Sequence, residues 1–436
     1  MNNELKVVLL AGGESTRFWP LTNKNEMVFL GKPFLSWHYE QLVRLGMEHV
    51  VVVTNDQNNE RIRAIAAPKQ LQVSYVIQKN KGQVQALVAL ENVCSGEVLL
   101  LNASDYYADA GLISFLSGLD KNHITLGAIK TENYFPGGYL IINADGVVLE
   151  IVEKPKKGEE PSDVVNILID YIPDISLFIT AAKKHVSNAA SGYEDALNDL
   201  MKTSGTAHAK ILDRNDWKPI KYPWNVLDVS ELLLSEMQGS QIDKSVVIKE
   251  NVIIEGPVII EEGVKIFEGT KIVGPCYIGK NTIIGNNNII RSSMIGNDCV
   301  TGFNTDITRS YVGNNCWFHS NYVGDSVLAG DISIGSGSVL ANLRLDDRII
   351  SGVVKDEKIS TERNKLGAMI GLHVRIGVNA SIMPGVKIGS GSFIGAGVVL
   401  GKDVNNSQYC VSTSSYSVKD NTSVPAKNRE KFRKGL

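Results

Sequence analysis

Cysteine is scarce in this chain of 436 residues: Cys94, Cys276, Cys299, Cys316 and Cys410, with no CxxC pair among them. An odd, scattered set argues against a disulfide framework and against a zinc site, and fits free thiols in a reducing cytoplasm. Long hydrophobic runs are missing as well. The longest, such as LKVVLLA and VVVVT, fall far short of the ~20 residues that a bilayer-spanning helix needs. The opening MNNELK has no basic segment ahead of a long apolar core, so no signal peptide is expected. Neither sign of charge dominates. A formal net charge of -3 gives no global pointer to nucleic acid or to an anionic membrane surface. What is present is ordinary for a soluble protein with a sizeable core: 43% hydrophobic and 21% charged residues. The length suits two domains with a tail.

The two halves carry different periods. In the first, apolar strand-like runs (5–11, 49–55, 71–78, 97–105) alternate with helical patterns (34–46, 82–93). That alternation predicts an α/β fold with a parallel sheet covered on both faces, and a site beyond the carboxyl ends of its strands. Three polar clusters fall at those ends: the loop after the first strand, Gln78 to Gly82, and Asp105. In the second half, isoleucine recurs every six residues from Ile248 to Ile290, and again from Ile370 to Ile394. No helix or ordinary strand has that period. It predicts a parallel β-helix of short strands, three per turn, with aliphatic side chains stacked inward and Gly, Asn or Asp at the corners. A polar, charged stretch at about 340–367 interrupts the repeat and reads as a loop thrown out of one coil. The expected domains are therefore 1–238, 239–404 and a polar, then basic, tail 405–436.

The loop after the first strand reads LAGGESTRFWPLTNK. A glycine pair lets backbone N–H groups approach anionic oxygens. Thr16 adds a hydroxyl, Arg17 a guanidinium that can fork onto phosphate, and Lys24 a further cation. The loop lacks both GxxxxGK[ST] and GxGxxG, so neither common phosphate motif applies. On physical grounds a phosphate cradle is favoured over a structural turn.

With the segments that follow it, this loop resembles the signature of the sugar-1-phosphate nucleotidylyltransferases, LAGGxGTRxxPLTxxxPK followed by GKP. The likeness continues through QKNKGQVQAL (78–87), LLLNASD (99–105), PGGYLII (136–142), VEKP (152–155), VVNILIDYI (164–172) and YPWNVLDVSELL (222–233). The resemblance implies a Rossmann-like nucleotidyltransferase domain and a transfer of a nucleotidyl group from UTP or dTTP to a hexose- or N-acetylhexosamine-1-phosphate. It implies that Gly12, Gly13, Ser15, Thr16, Gln78 and Gly82 hold the nucleotide, with Arg17 and Lys24 as the catalytic cations. Gly138, Glu153, Lys154 and Asn166 would line the sugar, and Asp105 and Asn225 would bind Mg2+, with Asp228 as the alternate to Asn225. Four positions depart from the pattern: Ser15, Ser104 and Leu168 stand where glycine is usual, and Gln83 where threonine is.

The segment FHSNYVGDSVLAGDISIGSGSVLANLRLDD (318–347) is similar to one in bifunctional enzymes that join such a transferase to a left-handed β-helix acyltransferase, bacterial and archaeal. There the matching histidine is a general base toward a sugar amine, which must lose a proton before attacking a thioester. The resemblance implies that role for His319, sugar contacts for Tyr322 and Asn342, and acetyl-CoA as a second-site substrate. The other reading of His319 is packing at a trimer seam. The family's basic phosphate ligands have no match, since Ile289 and Ile307 fall near those places, and Ser333 replaces an asparagine. A cytoplasmic homotrimer follows from the resemblance, with no nucleic-acid or membrane partner. The alternative function is a non-catalytic, nucleotide-sugar-binding regulatory subunit, motivated by Ser15, Gln83 and Ser104.

Overall fold

The structure is a computed structural model that describes residues 5–204, 206–413 and 417–422. The basic run KNREKFRKGL and the first residues of MNNELK lie outside the described residues. The first half forms a nine-stranded sheet. Its strands are β1 (Lys6–Leu10), β2 (His49–Asn55), β3 (Gln72–Gln78), β4 (Val98–Asn102), β5 (Ile124–Lys130), β6 (Gly138–Ile142), β7 (Val147–Glu153), β8 (Val164–Ile172) and β9 (Ala207–Ile211). The spatial order is β3-β2-β1-β4-β8-β5-β9-β7-β6. The first four strands are mutually parallel, as the alternation predicts. The sheet as a whole is mixed, because β8 runs antiparallel to both β4 and β5. VVNILIDYI is buried on both faces, and a doubly buried run reads the same in either direction.

Successive residues of β1 serve opposite cores, the period-2 rule of a strand. Val7 and Leu9 join α1 (Phe34–Arg44) and, further along the chain, Leu112 and Phe115, whereas Val8 and Leu10 join Leu87, Phe178 and Leu197 on the other face. Each β1–β4 strand end then opens at one edge of this three-layer unit.

The second half coils into three parallel sheets of eight, nine and eight short strands. It is the left-handed β-helix that the hexapeptide period predicts. Residues eighteen apart in the early coils pair directly, as Ile242 with Ile260 and Ile260 with Ile278. Ile260, Ile266, Ile272, Ile278, Ile284 and Ile290 are fully buried, each contributing about 1.5–3 kcal/mol. Asn281, Asn287, Asp298, Asn315 and Asn379 turn the corners with left-handed backbone, which Asn and Asp tolerate better than other residues with a Cβ. The last rung strand is Tyr409–Cys410.

The β-helix is clamped to the first domain. Its first sheet presents Tyr277, Met294, Tyr311, Val327 and Met369 to a cluster holding Phe29, Phe34, Trp224, Val229 and Leu233. The Tyr311 hydroxyl donates to the Val28 carbonyl at 3.0 Å across this contact. The interrupting segment contains a hairpin, Ser351–Val354 paired antiparallel with Glu357–Ser360.

Candidate active sites

Strand ends place the opening loop. Ala11 still donates its N–H to Val53 at 2.8 Å, and the chain then leaves the sheet. A Cβ on Gly12 would stand 2.3 Å from the Gln78 side-chain oxygen, so a larger residue there would displace that side chain, and these two expected nucleotide residues lie side by side. Gly13 meets nothing within 4 Å and faces open space. Asn55 and Asn58 hold the carbonyls of Gly12 and Ala11 at 2.9 and 2.8 Å. Lys81 pairs with Glu14 at 2.7 Å, which ties the Gln78–Gly82 segment to the loop. Gly82 has φ 110 and opens the helix that Gln83 begins. Thr16 is exposed, and Ser15 has φ 54. The family's third glycine therefore stands at a left-handed position, which this chain fills with serine.

Beyond the loop, charges converge. Asp105 is buried, and its carboxylate accepts from the Trp217 indole and the Asn102 amide, both at 3.0 Å. Burial pushes its carboxyl up to about 6, while those bonds and the charges of Lys24 and Lys221 pull the other way. Burial pulls Lys24 down to about 8; Asp105 resists this and Arg17 adds to it. Lys221 goes further, to about 7, first by burial and then by repulsion from Arg17 and Lys154. Its ammonium donates to the Pro136 carbonyl at 2.8 Å and lies 4.5 Å from the Phe135 ring centre. Tyr222 meets Arg17, and burial holds its phenol protonated. Motif reading passed over Lys221, yet it stands between Arg17 and Asp105 on one side and Glu153, Lys154 and Pro136 on the other.

Among the residues expected to line the sugar, Glu153 pairs with Lys154. A Cβ on Gly138 would lie 3.5 Å from Glu153 Oε2 and 3.6 Å from Glu194 Cγ, so the two carboxylates flank that glycine. Glu194, also absent from the sequence reading, is pushed well above the usual carboxylate range by burial and then by Glu153. Asn166 is turned into the sheet. Its amide donates to Asp170 at 2.8 Å and its oxygen takes the Leu168 N–H at 3.0 Å, across the irregular turn of β8 where Leu168 has φ 57.

Asp105 suits a magnesium ion. Mg2+ takes one or two carboxylates and leaves its other positions to phosphate and water, and each Asp105 oxygen keeps lone pairs beyond its one bond. Asn225 fits less well. Its side-chain oxygen is occupied by the N–H groups of Lys221 and Tyr222 at 3.2 and 2.8 Å, and its amide donates to Asp228 at 2.9 Å. Asp228 in turn is bound by Arg363. No group of three or more acidic, His or Cys side chains fit for a metal occurs among the described residues.

In the β-helix, His319 stands exposed on a corner, its backbone fixed by Asn321 at 2.8 Å and Thr305 at 2.7 Å. Tyr322 and Asn342 come together over Gly324, where a Cβ would be 2.7 Å from both the Tyr322 hydroxyl and the Asn342 amide nitrogen. Asn342 donates to Asp325, on which Arg309 forks at 2.7 and 2.8 Å. Ile307 is wholly in the core, and Ile289 is partly exposed. Two residues beyond Ile307 the chain carries Arg309, whose guanidinium is taken up by Asp325, and two beyond Ile289 it carries Arg291, paired with Asp306.

Residues 6–232 match the nucleotidyl transferase family, and residues 367–402 match the bacterial transferase hexapeptide repeat. The chain belongs to the nucleotidyl transferase family. Similarity extends over both domains. The chain is 32% identical to a bifunctional sugar-1-phosphate nucleotidylyltransferase/acetyltransferase of Sulfurisphaera tokodaii, covering 93% of this chain and 99% of that protein. It is 30% identical to the bifunctional protein GlmU of Methanococcus vannielii and 28% identical to that of Methanocaldococcus jannaschii, each over 93% of this chain and 97% of the relative. The loop, Gln78 and Asp105, at strand ends on one edge of the sheet, all fall within the matched residues.

Proposed function

We propose that the first domain joins a nucleoside triphosphate, UTP or dTTP, to a hexose- or N-acetylhexosamine-1-phosphate and releases pyrophosphate. The observation that carries this is the meeting of Lys24 and Lys221 with the buried carboxylate of Asp105, and of Arg17 with both lysines, between the opening loop and the Glu153–Lys154 segment. Two anions must approach one another for a phosphate oxygen to attack the α-phosphorus in line. Cations withdrawn from water act strongly there because little solvent screens them. Binding polyphosphate restores full charge to Lys24 and Lys221, whose burial otherwise favours the neutral amine. The attacking phosphate is already ionised near neutrality, so no general base is required. Mg2+, held by Asp105, would supply charge neutralisation at the phosphates. Gly12, Gly13, Ser15, Thr16, Gln78 and Gly82 bind the nucleotide in this reading, and Gly138, Glu153, Lys154 and Asn166 the sugar, with Glu194 added.

The β-helix we assign to acetyl transfer from acetyl-CoA to an amino-sugar phosphate. His319 acts as base, Tyr322 and Asn342 hold the sugar, and Arg309 lies beside them as the cation for phosphate. The apolar outer row of the second sheet supports assembly into a trimer, since Trp317, Phe393 and Tyr409 are more than half or about half exposed there. No helix among the described residues is long and apolar enough to cross a membrane. A cytoplasmic location is supported by the free thiols and by the triphosphate and acetyl-CoA that the two reactions consume.

Pyrophosphate release, measured across nucleoside triphosphates and sugar 1-phosphates with Mg2+, tests the first assignment. Turnover with at least one pair is expected. Binding of a nucleotide sugar with no turnover for any pair would favour the regulatory subunit instead.

A further inference from the structure

The hairpin segment and the late coils of the β-helix reach the first domain at two places that matter for the site described above. One is the opening loop. Trp19, two residues after Arg17, donates its indole N–H to Asn406 at 3.0 Å. Beneath its ring, 4.9 Å from the centre, lies the ammonium of Lys387. Lys387 has a side chain only 4% exposed. Its partners are Asp403 at 3.1 Å, the Val353 carbonyl of the hairpin, and the Trp19 face. An ammonium buried this deeply persists only when so matched. No step of the proposed reaction uses it.

The other place is the segment that carries Lys221 and Tyr222. The Asn225 side chain caps their N–H groups, and Asp228 holds the Asn225 amide. Asp228 is held by Arg363, from the far stem of the β-helix hairpin. Behind this chain, Gly352 of the hairpin lies flat on Trp224; a Cβ there would be 2.5 Å from the indole ring. Ile350 and Leu366, at the two ends of the excursion, are buried in the same cluster as Trp224, Val226 and Val229. The excursion from the coil is thus seated on the first domain.

We propose that the β-helix is a positioning partner of its own chain's nucleotidyl-transfer site. Lys387 and Asn406 brace Trp19 and so fix the Arg17 side of the opening loop. Arg363, through Asp228 and Asn225, fixes the backbone of Lys221 and Tyr222 on the opposite side. The two braces grip the two walls between which the triphosphate would lie. Lys387, Asn406 and Arg363 are positioning residues, since none of them touches the reacting groups. The inference rests on the assignment of that site to nucleotidyl transfer.

Three variants test it: the double variant Lys387→Met with Asp403→Asn, Arg363→Ala with Arg363→Lys as rescue, and Arg214→Ala as control. Arg214 pairs with Glu362 at 3.2 Å, next to Arg363 on the same stem, but both side chains are half exposed and lead to no site residue. Removing one partner of a buried ion pair destabilises, whereas removing both is often neutral, so Lys387→Met is made together with Asp403→Asn, which leaves no unmatched charge beneath Trp19 and separates folding from positioning. The expected result is a ~10-fold fall in kcat/KM for the triphosphate in the double variant and in Arg363→Ala, about 1.4 kcal/mol. Melting temperature stays at the wild-type value, Arg363→Lys recovers most of the loss, and Arg214→Ala does not differ from wild type. Calorimetric titration of the nucleoside triphosphate without Mg2+ gives a second readout, in which the same two variants bind about tenfold more weakly. Wild-type kinetics and binding in both variants, or losses that merely follow melting temperature, overturn the proposal. If the wild-type protein releases no pyrophosphate, the function assigned to the site fails while the titration still decides the bracing.

Discussion

Asp105, Lys24 and Lys221 lie together at strand ends and are withdrawn from water far enough to shift their protonation. In the β-helix, His319 stands on an exposed corner, while the half-buried Tyr322 and the buried Asn342 meet over Gly324. The first site is assembled from loops that no repeat relates. The second is laid out by the coil itself, since residues one turn apart stack, as Tyr322 on Asp306 and Val339 on Tyr322. The contrast shows where each gains its chemistry. Enclosure strengthens fixed charges, which suits the joining of two anions. An exposed corner leaves a base open to a bulky thioester carrier, and leaves the site to be completed by a neighbouring coil or chain.

The widest separation between the two sites comes from Asp105→Asn. It removes the carboxylate assigned to Mg2+, and nucleotidyl transfer should fall by ~10³, about 4 kcal/mol. Stability should change little, because removal of a buried charge and retention of the Trp217 bond are offset by the new amide NH2 facing the Asn102 amide donor. Thiol release from acetyl-CoA with an amino-sugar phosphate should not change. A parallel loss of both activities would break the picture of two independent chemistries.

Lys221→Met comes next, with kcat/KM for nucleotidyl transfer down ~10². The pH profile gives the sign. A lysine is cationic below its pKa, and in the free protein Lys221 and Lys24 lose their protons near 7 and 8. Wild-type kcat/KM should therefore decline as pH rises through 7 to 8. In Lys221→Met the decline should begin later, near 8, where Lys24 alone titrates. An unchanged alkaline limb would remove Lys221 from phosphate binding. The mirror experiment is His319→Ala, which should cut thiol release by ~10² and leave pyrophosphate release untouched. Equal thiol release would return His319 to packing.

Much of this is legible in the sequence alone. The six-residue isoleucine period is a statement about stacking, and it holds down to the left-handed asparagines at the corners. The loop, Gln78 and Asp105 are legible because each ends a strand, and strand ends follow from alternation. The antiparallel strand β8 is not, since burial on both faces erases the pattern that distinguishes direction. Lys221 escapes because it belongs to no motif. Its signal, a lone lysine before an aromatic and a proline, is common on surfaces. Arg309, proposed above as the phosphate cation, escapes because it stands two residues beyond Ile307, and a motif matched at fixed positions does not register a cation shifted along the coil. The engagement of the Asn225 oxygen by two backbone donors of the turn before its helix is a local contact that a metal-ligand alignment does not register.

The smallest effect on turnover separates two departures that look alike in sequence. Ser15 and Leu168 both stand where relatives of this kind carry glycine, and both adopt left-handed backbone, with φ 54 and 57. A residue with a Cβ in that region costs about 1–2 kcal/mol. For Ser15, which is half-buried in the loop, restoring glycine should relieve part of that strain, offset by the greater freedom of the unfolded chain. The net expectation is a gain of up to ~1 kcal/mol in unfolding free energy, with little change in turnover. Leu168 is 7% exposed and packs in the core beside Val8, Leu100 and Leu126. Removing its side chain forfeits about 2–5 kcal/mol of burial and packing, which outweighs the strain relieved. Leu168→Gly should therefore destabilise while Ser15→Gly stabilises, as denaturant titration of the two variants would show. Opposite signs identify Leu168 as a residue retained for the core at a strained position, and Ser15 as one retained for what it offers the loop. If both variants gain stability, burial at Leu168 counts for less than its enclosure implies, and backbone strain outweighs packing at both positions.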